Sequence, residues 1–311
     1  MRSRQLAVFL MLLGVTLTQY SVAVFINGTY SMGPAGAFTS GKVSYVNTDD
    51  IQTHLVTSSD KTLRFYNKSA GVYDNGTAYN VDMDESIPQM RYRWDGTWLA
   101  ARGESSTKIY FMRQISGKYT VDHIVDVGSY PNSIGWAFDQ NTLAAGLANG
   151  NIVLLQFDTA TNKFKLNQSI ATNHTNGVSK VFGTTSRIYS TGSDASDNNV
   201  NIYWLNTTTG KWSYNWTVPN VGTNSDTPTA MHISGSENRV AVGQSNGDIY
   251  ILSHPDQNYE WYISKIIFAA FAHLSFPINF VRLTSNGWYL ITSANKPSGE
   301  VYFWAKKYDW G

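Results

Sequence analysis

The chain has 311 residues, 42% of them hydrophobic, a net charge of +1, and 14% charged residues against about 25% in ordinary soluble domains. So little net charge argues against a surface built to hold nucleic-acid phosphates or acidic membranes. No cysteine is present, which excludes disulfides, thiol catalysis, zinc–thiolate sites and iron–sulfur clusters; core burial alone must hold the fold.

Residues 1–23 read as a secretory signal peptide. Arg2 and Arg4 precede the apolar run Leu6 to Leu17, and Ser21-Val22-Ala23 offers the small residues of a cleavage site. Twelve apolar residues span about 18 Å as a helix, too short for a hydrocarbon core of about 30 Å. No later stretch is long enough to cross a bilayer, so no transmembrane span is expected once the leader is removed. A strand-like segment, Val24 to Tyr30, follows. Residues 24–311 are then expected to form a single domain.

That domain repeats one pattern six times: strand, polar turn, strand, turn, strand. The second strands align at Leu55, Leu99, Leu143, Ile188, Val240 and Leu290, and the third strands at Leu63, Ile109, Ile152, Ile202, Ile249 and Val301. A period of about 40 to 50 residues with several short strands per unit predicts an all-β, six-bladed β-propeller of four-stranded antiparallel blades. The blades start near residues 43, 87, 131, 176, 228 and 277. Asn149-Gly150 and Asn246-Gly247 mark hairpin turns that need positive φ. Five copies continue into an outer strand, near Tyr73, Tyr119, Lys163, Trp212 and Tyr259. The sixth has only Lys306 to Gly311 left, so the N-terminal segment is predicted to supply its outer strand and close the last blade.

Turn–strand–turn–strand runs such as Asp139 to Phe157 resemble the WD-repeat family over roughly residues 43 to 305. That family's Gly-His pair is missing from every copy, and its closing Trp-Asp is never intact: Trp304 precedes Ala305, while Tyr66-Asn67 and Leu205-Asn206 come closest. The resemblance therefore implies the fold and not the family's structural triad.

Eight residues before each second-strand anchor stand Asn47, Arg91, Gly135, Lys180, His232 and Arg282, mostly between apolar neighbours. Strand alternation sets each opposite those neighbours, and first strands surround a propeller's channel. Arg91, Lys180, His232 and Arg282 are thus candidates for an anion or acidic-sugar site, or for pairing between blades. Two acidic loops, Asp82 to Glu85 and Asp194 to Asn199, offer oxygen ligands of the kind calcium takes, without EF-hand spacing. No H-E-x-x-H and no nominated Ser/His/Asp set marks a catalytic centre, so no cofactor and no catalytic residue is assigned.

Seven sequons, at Asn27, Asn67, Asn75, Asn167, Asn173, Asn206 and Asn215, fall on or near the outer strands and third-strand ends. The arc of blades two, five and six is bare of them. Within it lies the apolar run Ile266 to Phe280, and Phe268, Phe271 and Phe276, with Trp304 and Trp310, are candidates for a contact patch. The expected function is an extracellular, N-glycosylated, non-enzymatic structural or protein-interaction subunit of a matrix, coat or filament. It would bind a protein partner or self-assemble. The rival functions are a glycan-binding propeller and a hydrolase or lyase working at the channel mouth.

Overall fold

The computed structural model describes residues 23–25, 45–48, 54–69, 72–139, 141–194, 197, 199–222, 226–254, 260–268, 275–284, 287–295 and 301–305. Its 24 strands form six four-stranded antiparallel sheets. Blade one holds β2 (Tyr45–Thr48), β3 (His54–Ser59), β4 (Thr62–Ser69) and β5 (Val72–Asp82). Blade two holds β6 (Gln89–Tyr92), β7 (Trp98–Arg102), β8 (Lys108–Ile115) and β9 (Lys118–Asp126). Blade three holds β10 (Pro131–Trp136), β11 (Thr142–Leu147), β12 (Asn151–Asp158) and β13 (Lys163–Ala171). Blade four holds β14 (Val178–Gly183), β15 (Arg187–Gly192), β16 (Val200–Asn206) and β17 (Lys211–Val218). Blade five holds β18 (Pro228–Ile233), β19 (Arg239–Gln244), β20 (Ile249–Ser253) and β21 (Tyr262–Ile267). In blade six, β22 (Ile278–Leu283), β23 (Tyr289–Ala294) and β24 (Val301–Ala305) are completed by β1 (Ala23–Phe25), which pairs antiparallel with β24.

The N-terminal strand thus closes the last blade and joins the two ends of the chain, covering an edge that would otherwise be open. Ala23 lies opposite Trp304 and Phe25 opposite Tyr302. Met1 to Val22, which make up most of the predicted signal peptide, lie outside the described residues. Among the described residues, no helix is long and apolar enough to cross a membrane.

The core is divided between blades. One cluster joins Trp98, Ala100, Ile109 and Phe111 of blade two to Ile134, Trp136, Leu143 and Phe164 of blade three, with Phe111 and Phe164 stacked at 4.5 Å. Equivalent clusters join one to two, three to four, four to five and five to six. Second strands carry small residues because they sit against the next blade's first strand. A Cβ on Gly146 would lie 2.4 Å from Val178, and one on Gly243 2.4 Å from Ile278. The Asn-Gly turns resolve differently from a two-residue hairpin. Gly150 (φ 86°) and Gly247 (φ 93°) take the left-handed conformation and their asparagines do not, as in longer turns that end on an αL glycine.

Two repeated irregularities shape the blades. First strands of blades three to six shift register near their start, at Pro131/Ser133, Val178/Lys180, Pro228/Ala230 and Ile278/Phe280. Third and fourth strands shift again in blades one to five. Such bulges strengthen local twist, which opens the blade toward its rim. They also explain why all-apolar third strands are not covered on both faces throughout. Trp204, beyond the bulge in β16, is exposed and lies under the Arg187 guanidinium at 5.3 Å.

Candidate functional site

Each first strand contacts that of the next blade, from β2 through β6, β10, β14 and β18 to β22, so the six line one axis. The structure places the predicted ring in two layers instead of one. Asn47, Arg91, His232 and Arg282 pair with Val56, Ala100, Ala241 and Ile291, each one residue past its second-strand anchor. Lys180 pairs with Thr191, three residues past its anchor Ile188, and Phe182 takes the place beside Arg91. The cause is the first turn of blade four. Gly183 pairs with Ile188, whereas Tyr92 pairs with Leu99 and Ile233 with Val240, so this turn is two residues shorter and a fixed count overshoots.

The ring is also less charged than its residue types suggest. Burial, with Arg282 and Arg91 nearby, pushes the His232 imidazole down to about 3, so it is neutral at pH 7. Its Nδ1 accepts the Leu283 amide at 3.2 Å, which places the remaining proton on Nε2, and Phe182 packs against its ring at 5.3 Å. Burial, Arg102 and Arg91 push the Lys180 ammonium down to about 8, which leaves it mostly charged. Arg102 is a member that pattern reading missed, because it stands on a second strand. It donates to Gln89 Oε1 at 3.3 Å and to the Tyr130 hydroxyl at 3.1 Å. In the other blades that position holds Ser58, Gly146, Thr191, Gly243 and Ser293.

Blade four contains a set that the missing Gly-His pair predicted would not form. His174, between β13 and β14, approaches Asp197 Oδ2 with Nδ1 and Ser190 Oγ with Nε2, both at 2.8 Å. Asn201 Nδ2 also meets Nε2, at 3.2 Å. An amide nitrogen only donates, so Nε2 accepts and the proton resides on Nδ1, facing the carboxylate. The connectivity is that of a Ser–His–Asp triad, but Ser190 and His174 are buried. An attacking oxygen must come within about 3–3.5 Å of its target, and no substrate reaches Ser190. The set is a structural clamp between the loop entering blade four and the turn between β15 and β16. Blade six holds another part of such a network: Trp304 Nε1 donates to Thr292 Oγ1 at 2.9 Å.

The acidic loops are engaged in the same way. Glu85 accepts from the Ser105 amide at 3.0 Å, the Tyr110 hydroxyl at 2.8 Å and the Ser106 hydroxyl, and it lies where a Cβ on Gly103 would be. Asp197 lies over Gly192 equivalently. Among the described residues, no group of three or more His, Asp or Glu side chains is placed to hold a metal ion. Burial alone would push the Glu85 carboxyl up, but these hydrogen bonds outweigh it and hold it below the usual carboxylate range. A depressed folded-state pKa contributes stability that is present above the unfolded value of about 4.3 and is lost as pH falls through the folded one. Urea unfolding of the wild type and Glu85→Gln from pH 7 to 2 should therefore show a stability gap that closes only in acid. A gap independent of pH would contradict this account.

The predicted contact patch splits. Phe268 (53%) and Phe276 (37%) are exposed. Trp304 is not part of a surface: it is 2% exposed, because its register with Leu290 turns it toward blade five. Phe271 and Trp310 lie outside the described residues. Trp288 and Tyr289 of blade six are exposed instead, and were overlooked because they flank a turn outside the apolar run; Phe280 is exposed too, but on the innermost strand. Of the sequons, Asn167, Asn173, Asn206 and Asn215 are exposed on blades three and four, and Asn67 is half-buried on β4. The Asn75 side chain and Asn27 lie outside the described residues.

Six four-stranded blades, closed by an N-terminal strand around a basic channel, define a WD-repeat-like β-propeller. No family model matches the chain, and no curated protein matches it in sequence. Among solved structures it is similar to the beta-propeller domain of Myceliophteria thermophila Cps50 (Swd1), at a TM-score of 0.67 and 10% identity, over 87% of this chain and 85% of that one. It is also similar to the WD40 repeats of RRP9, at a TM-score of 0.60 and 9% identity, over 86% of this chain and 95% of the other. At such identities the likeness is one of fold.

Proposed function

We propose that this chain is an extracellular, N-glycosylated propeller that serves as a non-enzymatic protein-interaction or structural subunit and binds through blades five and six. The observation that carries this reading is the distribution of exposed apolar side chains. Phe268, Phe276, Trp288 and Tyr289 are exposed on blade six and its approach, in a stretch after Asn215 that carries no sequon. The nearest sequon by sequence, Asn27, stands two residues beyond the closing strand β1. Blades three and four, which hold Asn167, Asn173, Asn206 and Asn215, expose only Leu166, Trp204 and Tyr214 among the large apolar residues described. Large rings left in water without glycan cover suit a contact face. The WD-repeat-like architecture fits a rigid disc that presents such a face, and burial of Ser190 argues against hydrolysis by the one triad found.

The test is the native mass of the secreted glycoprotein by light scattering, for the wild type and for Phe268→Ser with Trp288→Ser. A defined oligomer or fibre that disperses in the double variant, with an unchanged unfolding midpoint, is the expected result. A wild-type monomer, or an assembly indifferent to both changes, would set this reading aside.

A further inference from the structure

The six innermost strands carry Arg91, Lys180, Arg282 and His232, and not one Asp or Glu. In the layer of Lys180 the other first strands contribute Tyr45, Gln89, Ser133, Ala230 and Phe280, all uncharged. Gln89 is spent on the Ile134 backbone and Arg102, and the Ser133 hydroxyl accepts the Val181 amide. Lys180 itself makes no hydrogen bond and no ion pair among the described residues, and the charges acting on it are the guanidinium groups of Arg102 and Arg91. Its side chain keeps partial solvent contact, as a group facing a channel does.

We propose that the central channel, at the level of Lys180, binds a small multivalent oxyanion of the phosphate or sulfate type, with Lys180 as its ammonium anchor, Arg102 in the same layer and Arg91 in the adjoining one. Confined like charges raise the free energy of the channel, and an anion among them adds an attraction to each that offsets their mutual repulsion. Two guanidinium groups match the planar pairs of oxygens that tetrahedral oxyanions present, while the ammonium acts as a point charge. More than one positive group calls for more than one negative charge, which separates this ligand from chloride. The site is independent of the contact face on blade six, so either can fail alone.

The experiment is titration of the purified full-length protein with sodium pyrophosphate, sulfate and chloride at matched ionic strength, followed by calorimetry and melting temperature. Pyrophosphate should bind saturably and raise the melting temperature beyond the effect of chloride. Lys180→Met should melt higher than the wild type without anion, since it removes the repelled charge, and should bind pyrophosphate about tenfold more weakly or worse. Lys180→Arg, which keeps the charge, should retain binding, and the exposed Lys163→Met should change nothing. Pyrophosphate acting no differently from chloride, or Lys180→Met binding as tightly as the wild type, overturns the proposal.

Discussion

Replacing His174 with alanine is expected to cost about 3–5 kcal/mol of folding stability, although the residue touches no ligand and lies in a loop. The change removes contacts to Asp197, Ser190 and Asn201 at once. The larger loss comes from what remains. Asp197 is buried, and its Oδ2 would keep no imidazole to face. Leaving a buried acceptor unsatisfied costs more than the hydrogen bond itself was worth. Urea denaturation reads the effect directly, and Asp197→Asn with His174→Ala should cost much less than the sum of the single changes, because both act on one network. A loss under about 1 kcal/mol for His174→Ala would show that water or a neighbouring group replaces the clamp.

The repeat was legible because each copy puts an apolar anchor on its second strand and a short polar turn after it. Leu99, Leu143, Val240 and Leu290 all lie in equivalent register. The closing role of the N-terminus was legible because a strand-like segment stands outside the six repeats, and Ala23–Phe25 does pair with β24. The channel was read less well. Counting from anchors assumes equal turns, and the shorter turn at Thr184 to Arg187 moves Lys180 up a layer. The charge of His232 was invisible too, because it depends on burial and on an amide from the neighbouring blade. His174, Ser190 and Asp197 escaped for another reason. They sit on three different segments with no fixed spacing, and only closure of the blade brings them together.

Trp304 is where composition misled, and its replacement by alanine should cost about 4 kcal/mol or more. An apolar third strand such as Val301-Tyr302-Phe303-Trp304 does not reveal which face is covered. Pairing decides it: Tyr302 and Trp304 share the face that meets Ala230, Ile251 and Ile267 of blade five, while Val301 is exposed on the other. The cost has two parts. Truncating a buried indole leaves a cavity worth about 3–5 kcal/mol. It also removes the indole N–H that the fully buried Thr292 hydroxyl accepts. Trp304→Phe keeps most of the volume and loses the donor, so it should cost about 1–2 kcal/mol. The exposed Trp288→Ala should stay within about 0.5 kcal/mol. The contrast separates core from contact face in one experiment. If Trp288→Ala destabilised as much as Trp304→Ala, the exposed rings of blade six would be part of its core packing, and assembly through them would lose its physical basis.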